Sequence, residues 1–366
     1  GDVLTASSAA PSFDTKNAGN RKTVTFTGIV LGGDPTTLSN YSLGGITSVT
    51  TKASVTPAPL SVVGATTSVV YDGTTQANAA ATVTGLLGSE AVTVTGYGSG
   101  RNAGTYRDVL VATAGAGTSL DNYFVTTTNG ALTVTPYHLG FGAGVTGPRI
   151  EATALGKVYD ASVNANGSLT VAGLFAGDVL SATSATSTFD TKDVSPGKTV
   201  TFGGVMIGGD AVTLSNYSLS TLPTVTAQAD VTPAPLKVNV QSDAKFVTQT
   251  DAVGGSGSAG GYNGYQFSGF VGGESAAVLS GPVIAVSRTG IANPAVLGAS
   301  NVEQAGTYAG ALVASGPVTA GNYALTYVPA DFTVVPAGQL MVKTAGALSV
   351  YASGALTPTI TSVSYM

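Results

Sequence analysis

Three carboxylates close the same short pattern. It reads GLLGSE at 85–90, GLFAGD at 173–178 and GFVGGE at 269–274: a glycine, two apolar residues, two small residues, then an acid. Glu90, Asp178 and Glu274 are therefore matched in role. A carboxylate at a tight turn can ligate a hard cation such as calcium, or serve as a general acid. It can also accept local backbone N–H bonds and only hold the turn. One acid in every repeat favours the structural role, because a catalytic acid is needed once. These three are thus only weak metal candidates, and no metal is expected. The remaining inventory for catalysis is thin. His138 is the sole histidine, two residues after Pro136, and the chain has no cysteine. That leaves no thiol nucleophile, no zinc–thiolate site and no second histidine for a relay. GFGAGVTG at 140–147 has the glycines of a phosphate loop without the strand-to-helix setting that phosphate binding needs. We expect no catalytic residues, no cofactor and no enzymatic activity.

Tyrosine recurs in three further patterns. VYDG (70–73) and KVYDA (157–161) place Tyr71-Asp72-Gly73 and Tyr159-Asp160 ahead of two of the acidic turns. NAGTY (102–106) and QAGTY (304–308) bring Tyr106 and Tyr308 into late strands, in the manner of a tyrosine corner, where the hydroxyl bonds back to nearby backbone. DNYFV, SNYSL and GNYAL carry Asn122-Tyr123, Asn216-Tyr217 and Asn322-Tyr323 at a turn-to-strand boundary. There the Asn supplies a local bond and the Tyr a buried ring with a polar tip. All three read as packing motifs. The Gly/Ser-rich stretch 252–269 contains Tyr262 and Tyr265. Tyr among Gly and Ser suits an adaptable binding loop, and equally a loop whose Tyr returns to the core. Lys22 and Lys198, beside TVTF, are the positions to test for isopeptide crosslinks. Asn40, Asn166 and Asn216 open glycosylation sequons, two of them inside the Asn-Tyr turn.

The elements that must position these residues are strands. At an offset of 176, residues 1–43 and 177–219 share 27 of 43 identities, and VTPAPL recurs at 55–60 and 231–236. Repetition at fixed spacing decides architecture before propensity does. Four β-rich runs end in proline, at 53–60, 132–139, 229–236 and 332–340, and an apolar run restarts almost at once. Proline cannot donate to a ladder, so it marks strand ends. The boundaries give modules 1–59 (front missing), 60–136, 137–235, 236–336 with an insertion at 252–269, and 337–366 (back missing). Thr/Val alternation with Gly-rich turns predicts several short strands per module, and no segment predicts a three-turn helix. The expected fold is all-β: small immunoglobulin-like sandwiches in tandem, with β-grasp-like modules as the alternative. Only 9% of residues are charged, against about 25% in an average protein. The net charge of −5 argues against nucleic acid, and no apolar run approaches the roughly 20 residues of a membrane span.

The Tyr-Asp-Gly opening, the Ala-Gly-Thr-Tyr centre and the Asn-Tyr turn before a final TVTP strand resemble the YDG- and MBG-type repeats of large secreted bacterial surface adhesins, the filamentous-haemagglutinin and two-partner-secretion class. KFVTQTDA at 245–252 departs from the pattern where Tyr-Asp is expected. The resemblance implies a non-catalytic stalk or spacer at the bacterial surface or outside the cell, in adhesion, biofilm or filament formation. Its partners would be neighbouring modules of the same array. A second reading is glycan or protein binding through exposed loops, 252–269 above all. A third follows from the ends: ALSVYASGALTPTITSVS (347–364) resembles ALGKVYDASVNANGSLTVAG (154–173), so 340–366 of one chain would complete the module begun by 1–59 of the next, building filaments head to tail.

Overall fold

The structure, a computed structural model, describes residues 1–365 except 222, 248, 250, 252–261, 290–302 and 345–359. It is an all-β protein. The α-helices among the described residues are single turns, Pro35–Leu38 and Ala211–Ser215. The proline boundaries are short. Ser48–Val55 passes through Thr56 and Pro57 into Ala58–Val63. Ala131–Thr135 and Thr224–Thr232 are each separated by one proline from Tyr137–His138 and Ala234–Val240. The missing N–H ends one ladder, and the chain stays extended into the next.

The contacts divide the chain into two units. The first comprises 1–139, 173–180 and 209–220, the second 140–172, 181–208 and 221–366. In the first, Ala58–Val63 runs parallel to Tyr123–Thr128 and antiparallel to Thr82–Thr84. Thr66–Val70 runs parallel to Ala131–Thr135, which pairs antiparallel with Gly104–Arg107. Leu60, Val62, Leu132 and Val134 are buried at the two-residue period of a strand with one face inward. A buried polar node stands beside them. Asp108 accepts bonds from the N–H groups of Gly98 (2.8 Å) and Gly130 (3.1 Å) and from the Asn78 amide (3.0 Å), which also reaches the Ala65 carbonyl at 2.7 Å. Backbones meet so closely here that a Cβ on Gly130 would lie 1.9 Å from the Ala65 oxygen. Burial raises the cost of the Asp108 charge, but the donors outweigh it and hold the carboxyl below its ordinary value.

The second unit repeats this order. Ala234–Val240 is parallel to Tyr323–Val328 and antiparallel to Tyr265–Ser268. Asp243–Phe246 is parallel to Ala330–Val335, which pairs antiparallel with Gly306–Ser315. The same unit holds the hairpin Arg149–Leu155 with Asn166–Ala172, and the antiparallel set Thr186–Phe189, Ser195–Gly203 and Thr224–Thr232, with Lys157–Val158 parallel to the last strand. Phe189, Val200, Phe202, Val231, Leu236 and Tyr323 belong to one apolar cluster. In both units the first strand of a repeat joins the penultimate strand, and the second joins the last, in parallel register. Parallel neighbours need long crossovers. These pairings therefore close a whole repeat on itself, which a run of antiparallel hairpins does not do.

Candidate functional site

The acidic turns are built first by their glycines. Gly85, Gly173 and Gly269 have φ of 101°, 70° and 117°, and a Cβ on Gly85 would stand 2.2 Å from the Pro59 carbonyl oxygen. Each turn closes by an N–H bond from the acid to the carbonyl three residues back, Glu90 to Leu87 (3.2 Å), Asp178 to Phe175 (3.1 Å) and Glu274 to Val271 (3.1 Å). The carboxylates are left free to reach elsewhere. Backbone N–H groups of the turn were the expected donors, and they are not the ones used. The N–H groups of Leu87, Phe175 and Val271 instead donate to the hydroxyls of Tyr123, Tyr217 and Tyr323, at 3.0, 3.4 and 3.1 Å. Those hydroxyls in turn donate to Glu90 (2.6 Å), Asp178 (2.7 Å) and Glu274 (2.7 Å).

The Asn before each Tyr fixes a second segment. Asn122, Asn216 and Asn322 accept from the backbone N–H of Ala18 (2.8 Å), Ala103 (2.7 Å) and Val194 (2.9 Å). Their amides donate to the side-chain oxygens of Asn17 (3.3 Å), Asn102 (3.0 Å) and Asp193 (2.9 Å). The residue before each of these is a cation, and it pairs with the acid: Lys16–Glu90 at 3.7 Å, Arg101–Asp178 at 2.9 Å, Lys192–Glu274 at 2.6 Å. Sequence reasoning passed over this cation. Its signal was the recurring string Lys16-Asn17-Ala18, Arg101-Asn102-Ala103 and Lys192-Asp193-Val194.

In two of the three nodes a second tyrosine completes the set. Tyr71 donates to Asp178 at 2.7 Å and Tyr159 to Glu274 at 2.8 Å. Tyr71 and Tyr159 are buried, and their rings meet Tyr217 and Tyr323 edge-on at 5.6 Å. Asp72 and Asp160 stay local. They accept from Thr74 and Ser162 and hold the turn that follows the tyrosine. Gly73 and Ala161 both take left-handed φ, 79° and 63°. Arg101 also donates to the carbonyls of Gly73 (2.8 Å) and Ala176 (3.0 Å). A partial fourth copy pairs Tyr41 with Asp2 at 3.1 Å.

The electrostatics follow from this geometry. Burial works to raise the Asp178 carboxyl, but bonds from Tyr71, Tyr217 and Arg101 together hold it below its usual range. The Lys192 bond does most to lower Glu274, against burial and with help from Tyr323 and Tyr159. Tyr71 is pushed up to about 12, by burial first and then by the bond to Asp178. Tyr217 is raised for the same two reasons, and Tyr123 chiefly by its bond to Glu90. The Asp178 carboxylate, saturated by two phenols and a guanidinium that each hold their proton more tightly, has no proton to exchange near neutral pH. Among the described residues no group of three or more His, Asp or Glu is arranged to hold a metal. The arrangement can link distant segments. Its chemistry is that of a clamp.

The fourth repeat departs from the set. Val247 donates its N–H to the Val335 carbonyl as Tyr71 does to Thr135 and Tyr159 to Thr232, so Val247 stands at the tyrosine position. Glu303 stands where the cation is expected, in Glu303-Gln304-Ala305. It pairs instead with Arg288 and, at 2.7 Å, with Lys245, while Asp251 pairs with Lys245 at 2.5 Å and Arg288 at 3.1 Å. Tyr262 is buried here, edge-on to Phe332, and donates to Asp251 at 3.2 Å. Tyr265 is half-buried in the strand Tyr265–Ser268. Both candidates for a binding loop thus face protein, and residues 252–261 of that stretch lie outside the described residues. Tyr106 and Tyr308 donate to the carbonyls four residues back, Asn102 (2.8 Å) and Gln304 (2.7 Å). His138 lies 3.2 Å from the Ser218 hydroxyl in an exposed edge pairing. Lys22 and Lys198 pair with Asp14 (3.3 Å) and Asp190 (3.0 Å). Of the sequon asparagines, Asn216 is buried in its node, while Asn40 and Asn166 are exposed.

The comparison with known families bears on the segment holding KVYDA, GLFAGD and SNYSL. Residues 148–227 form a YDG domain. No curated protein matches the chain, and no solved structure does. The YDG domain contains Tyr159, Asp178, Lys192, Asn216 and Tyr217; Tyr217 donates to Asp178 within it, and the other node partners lie outside it. Asp178 receives Tyr71 and Arg101, whereas Tyr159 and Lys192 reach Glu274.

Proposed function

We propose that the chain is a run of non-catalytic β modules in which the repeated node fastens each module to the next, as the stalk or spacer of an exported bacterial adhesin. The carrying observation is the node's construction: an acid and an Asn-Tyr from one repeat, and a cation with its Asn/Asp neighbour from the repeat before. With boundaries at 59, 136 and 235, every node draws on two modules. Single-proline boundaries support the same reading, because a short stiff connection leaves little freedom to lose when neighbours dock. The modules are small sandwiches closed by parallel pairings. A surface or extracellular home rests on the YDG domain. No described helix is long and apolar enough to cross a membrane.

Small-angle scattering tests the stalk. Modules of about 30 Å laid in line exceed ~120 Å, which corresponds to a radius of gyration of roughly 35 Å. A compact globule of this length would show about 21 Å. The lower value would overturn the stalk.

A further inference from the structure

The nodes come in two kinds. Asp178 is paired with a guanidinium, Arg101 at 2.9 Å, and Glu274 with an ammonium, Lys192 at 2.6 Å. The Lys16–Glu90 pair, at 3.7 Å, is of the second kind. The kinds follow the repeats. At the 176-residue offset Asp2 matches Asp178 and Lys16 matches Lys192, so the first and third repeats carry an aspartate and a lysine. The second and fourth carry a glutamate, Glu90 and Glu274, and the second carries Arg101. The aspartate of the third repeat thus meets the arginine of the repeat before it, and each glutamate meets a lysine.

Reach explains the matching. Arginine is one bond longer than lysine to its terminal nitrogen, and glutamate is one bond longer than aspartate to its oxygens. A long cation with a short acid therefore spans the same number of bonds between two backbones as a short cation with a long acid. Lysine with aspartate is one bond short, and arginine with glutamate one bond long. The phenols leave little room to compensate, because Tyr71, Tyr217, Tyr159 and Tyr323 are all buried. The oxygens are also used differently. Asp178 Oδ2 accepts both phenols, each at 2.7 Å, and Oδ1 faces Arg101. Glu274 Oε1 accepts Tyr159 (2.8 Å) and Lys192 (2.6 Å), and Oε2 accepts Tyr323 (2.7 Å). The Arg101 fork reaches the Gly73 and Ala176 carbonyls as well as Asp178, a spread that a point-like ammonium on a shorter stem does not cover.

We infer that the cation–acid pair selects which repeat docks on which. A repeat with an aspartate accepts a neighbour that offers arginine, and a repeat with a glutamate accepts a neighbour that offers lysine. The inference rests on reading the node as a joint between repeats. It meets a need that the backbone cannot. Residues 1–43 and 177–219 share 27 of 43 identities, so the strands and turns of like repeats are nearly interchangeable. Misassembly between neighbours is the characteristic failure of repeat proteins. Two repeats of one kind would oppose lysine to aspartate or arginine to glutamate, and the misfit makes the wrong joint weaker than the right one. Two side chains per repeat thereby set the alternation.

The test uses the full chain and hydrogen exchange at 66–76 and 173–180, with 269–274 as the reference. Arg101→Lys sets up the lysine–aspartate pair that two repeats of the first kind would form, and Asp178→Glu the arginine–glutamate pair of two repeats of the second. Each should speed exchange in the two segments about threefold or more. The two changes together copy the pair at Lys192 and Glu274, and should bring exchange back to within about twofold of the parent. Lys192→Arg and Glu274→Asp, alone and together, should give the same pattern at 269–274, with 66–76 as the reference. A double variant as loose as the looser single, or single variants that exchange like the parent, overturns the selection. If Tyr71→Phe still loosens the node in that case, the joint between repeats stands and only the pairing rule falls. If Tyr71→Phe has no effect, the joint itself falls.

Discussion

Replacing Tyr71 by Phe removes one hydroxyl and leaves the ring. The lost interaction is a 2.7 Å bond from a buried phenol to the Asp178 carboxylate. Bonds to charged groups contribute about 1.5–3 kcal/mol. Asp178 keeps Tyr217 and Arg101, so the lower part of that range applies, about 1.5–2 kcal/mol. That is roughly a ten- to thirtyfold rise in local opening. Asp178→Ala must cost more. It strips the acceptor from two buried phenols, Tyr71 and Tyr217, at about 1–3 kcal/mol each. Arg101 is partly exposed and returns to water, so the loss of its pair adds little. The total is about 2–6 kcal/mol. Hydrogen exchange read by mass spectrometry reports local opening at 66–76 and 173–180, with 269–274 as the internal reference. Tyr71→Phe should speed exchange in the first two segments and leave the reference unchanged. A Tyr71→Phe chain within about 0.5 kcal/mol of the parent refutes the clamp, as does an Asp178→Ala chain no weaker than it.

The nodes respond to pH at both ends. The Tyr71 proton is held up to about 12, so its stabilisation is full below the ordinary tyrosine value near 10 and is lost as pH rises from there towards 12. The carboxyls of Asp178 and Glu274 lie below their ordinary values, so their contribution is present above about pH 4 and is lost as pH falls further. Urea midpoints across pH 2–12 read both limbs, and Tyr71→Phe should flatten the alkaline one. Asp108→Ala removes the acceptor for two backbone N–H groups and the Asn78 amide. It should cost about 3 kcal/mol or more in urea unfolding, and a change under 1 kcal/mol would show the node to be dispensable. Ala161→Gly relieves a left-handed residue at φ 63°. The strain of about 1–2 kcal/mol exceeds the added chain entropy, so the thermal midpoint should rise slightly rather than fall.

Much of the frame is legible in the sequence. The four proline-ended runs marked where strands stop, because a residue without an N–H cannot extend a ladder wherever it is placed. Tyr106 and Tyr308 were read as bonding back to nearby backbone, a contact spanning four residues that is written in the local string. The acidic turns were seen as turns, yet their bonding partners were not seen. The local alternative, a carboxylate taking its own turn's N–H groups, was physically sound. It lost because the Tyr123, Tyr217 and Tyr323 hydroxyls reach those N–H groups first.

The sequence alone determined the strands, the repeat spacing and the turn glycines, since each of these depends on residue type and on neighbours a few positions away. Tertiary structure alone decided that Tyr71 meets Asp178 across 107 residues and Tyr159 meets Glu274 across 115. It also decided the parallel pairings and the role of Lys16, Arg101 and Lys192. Hydrogen bonds and ion pairs at that separation leave no periodic trace in a chain. They come into being only when burial brings the two segments to one place, where a carboxylate withdrawn from water must find its donors.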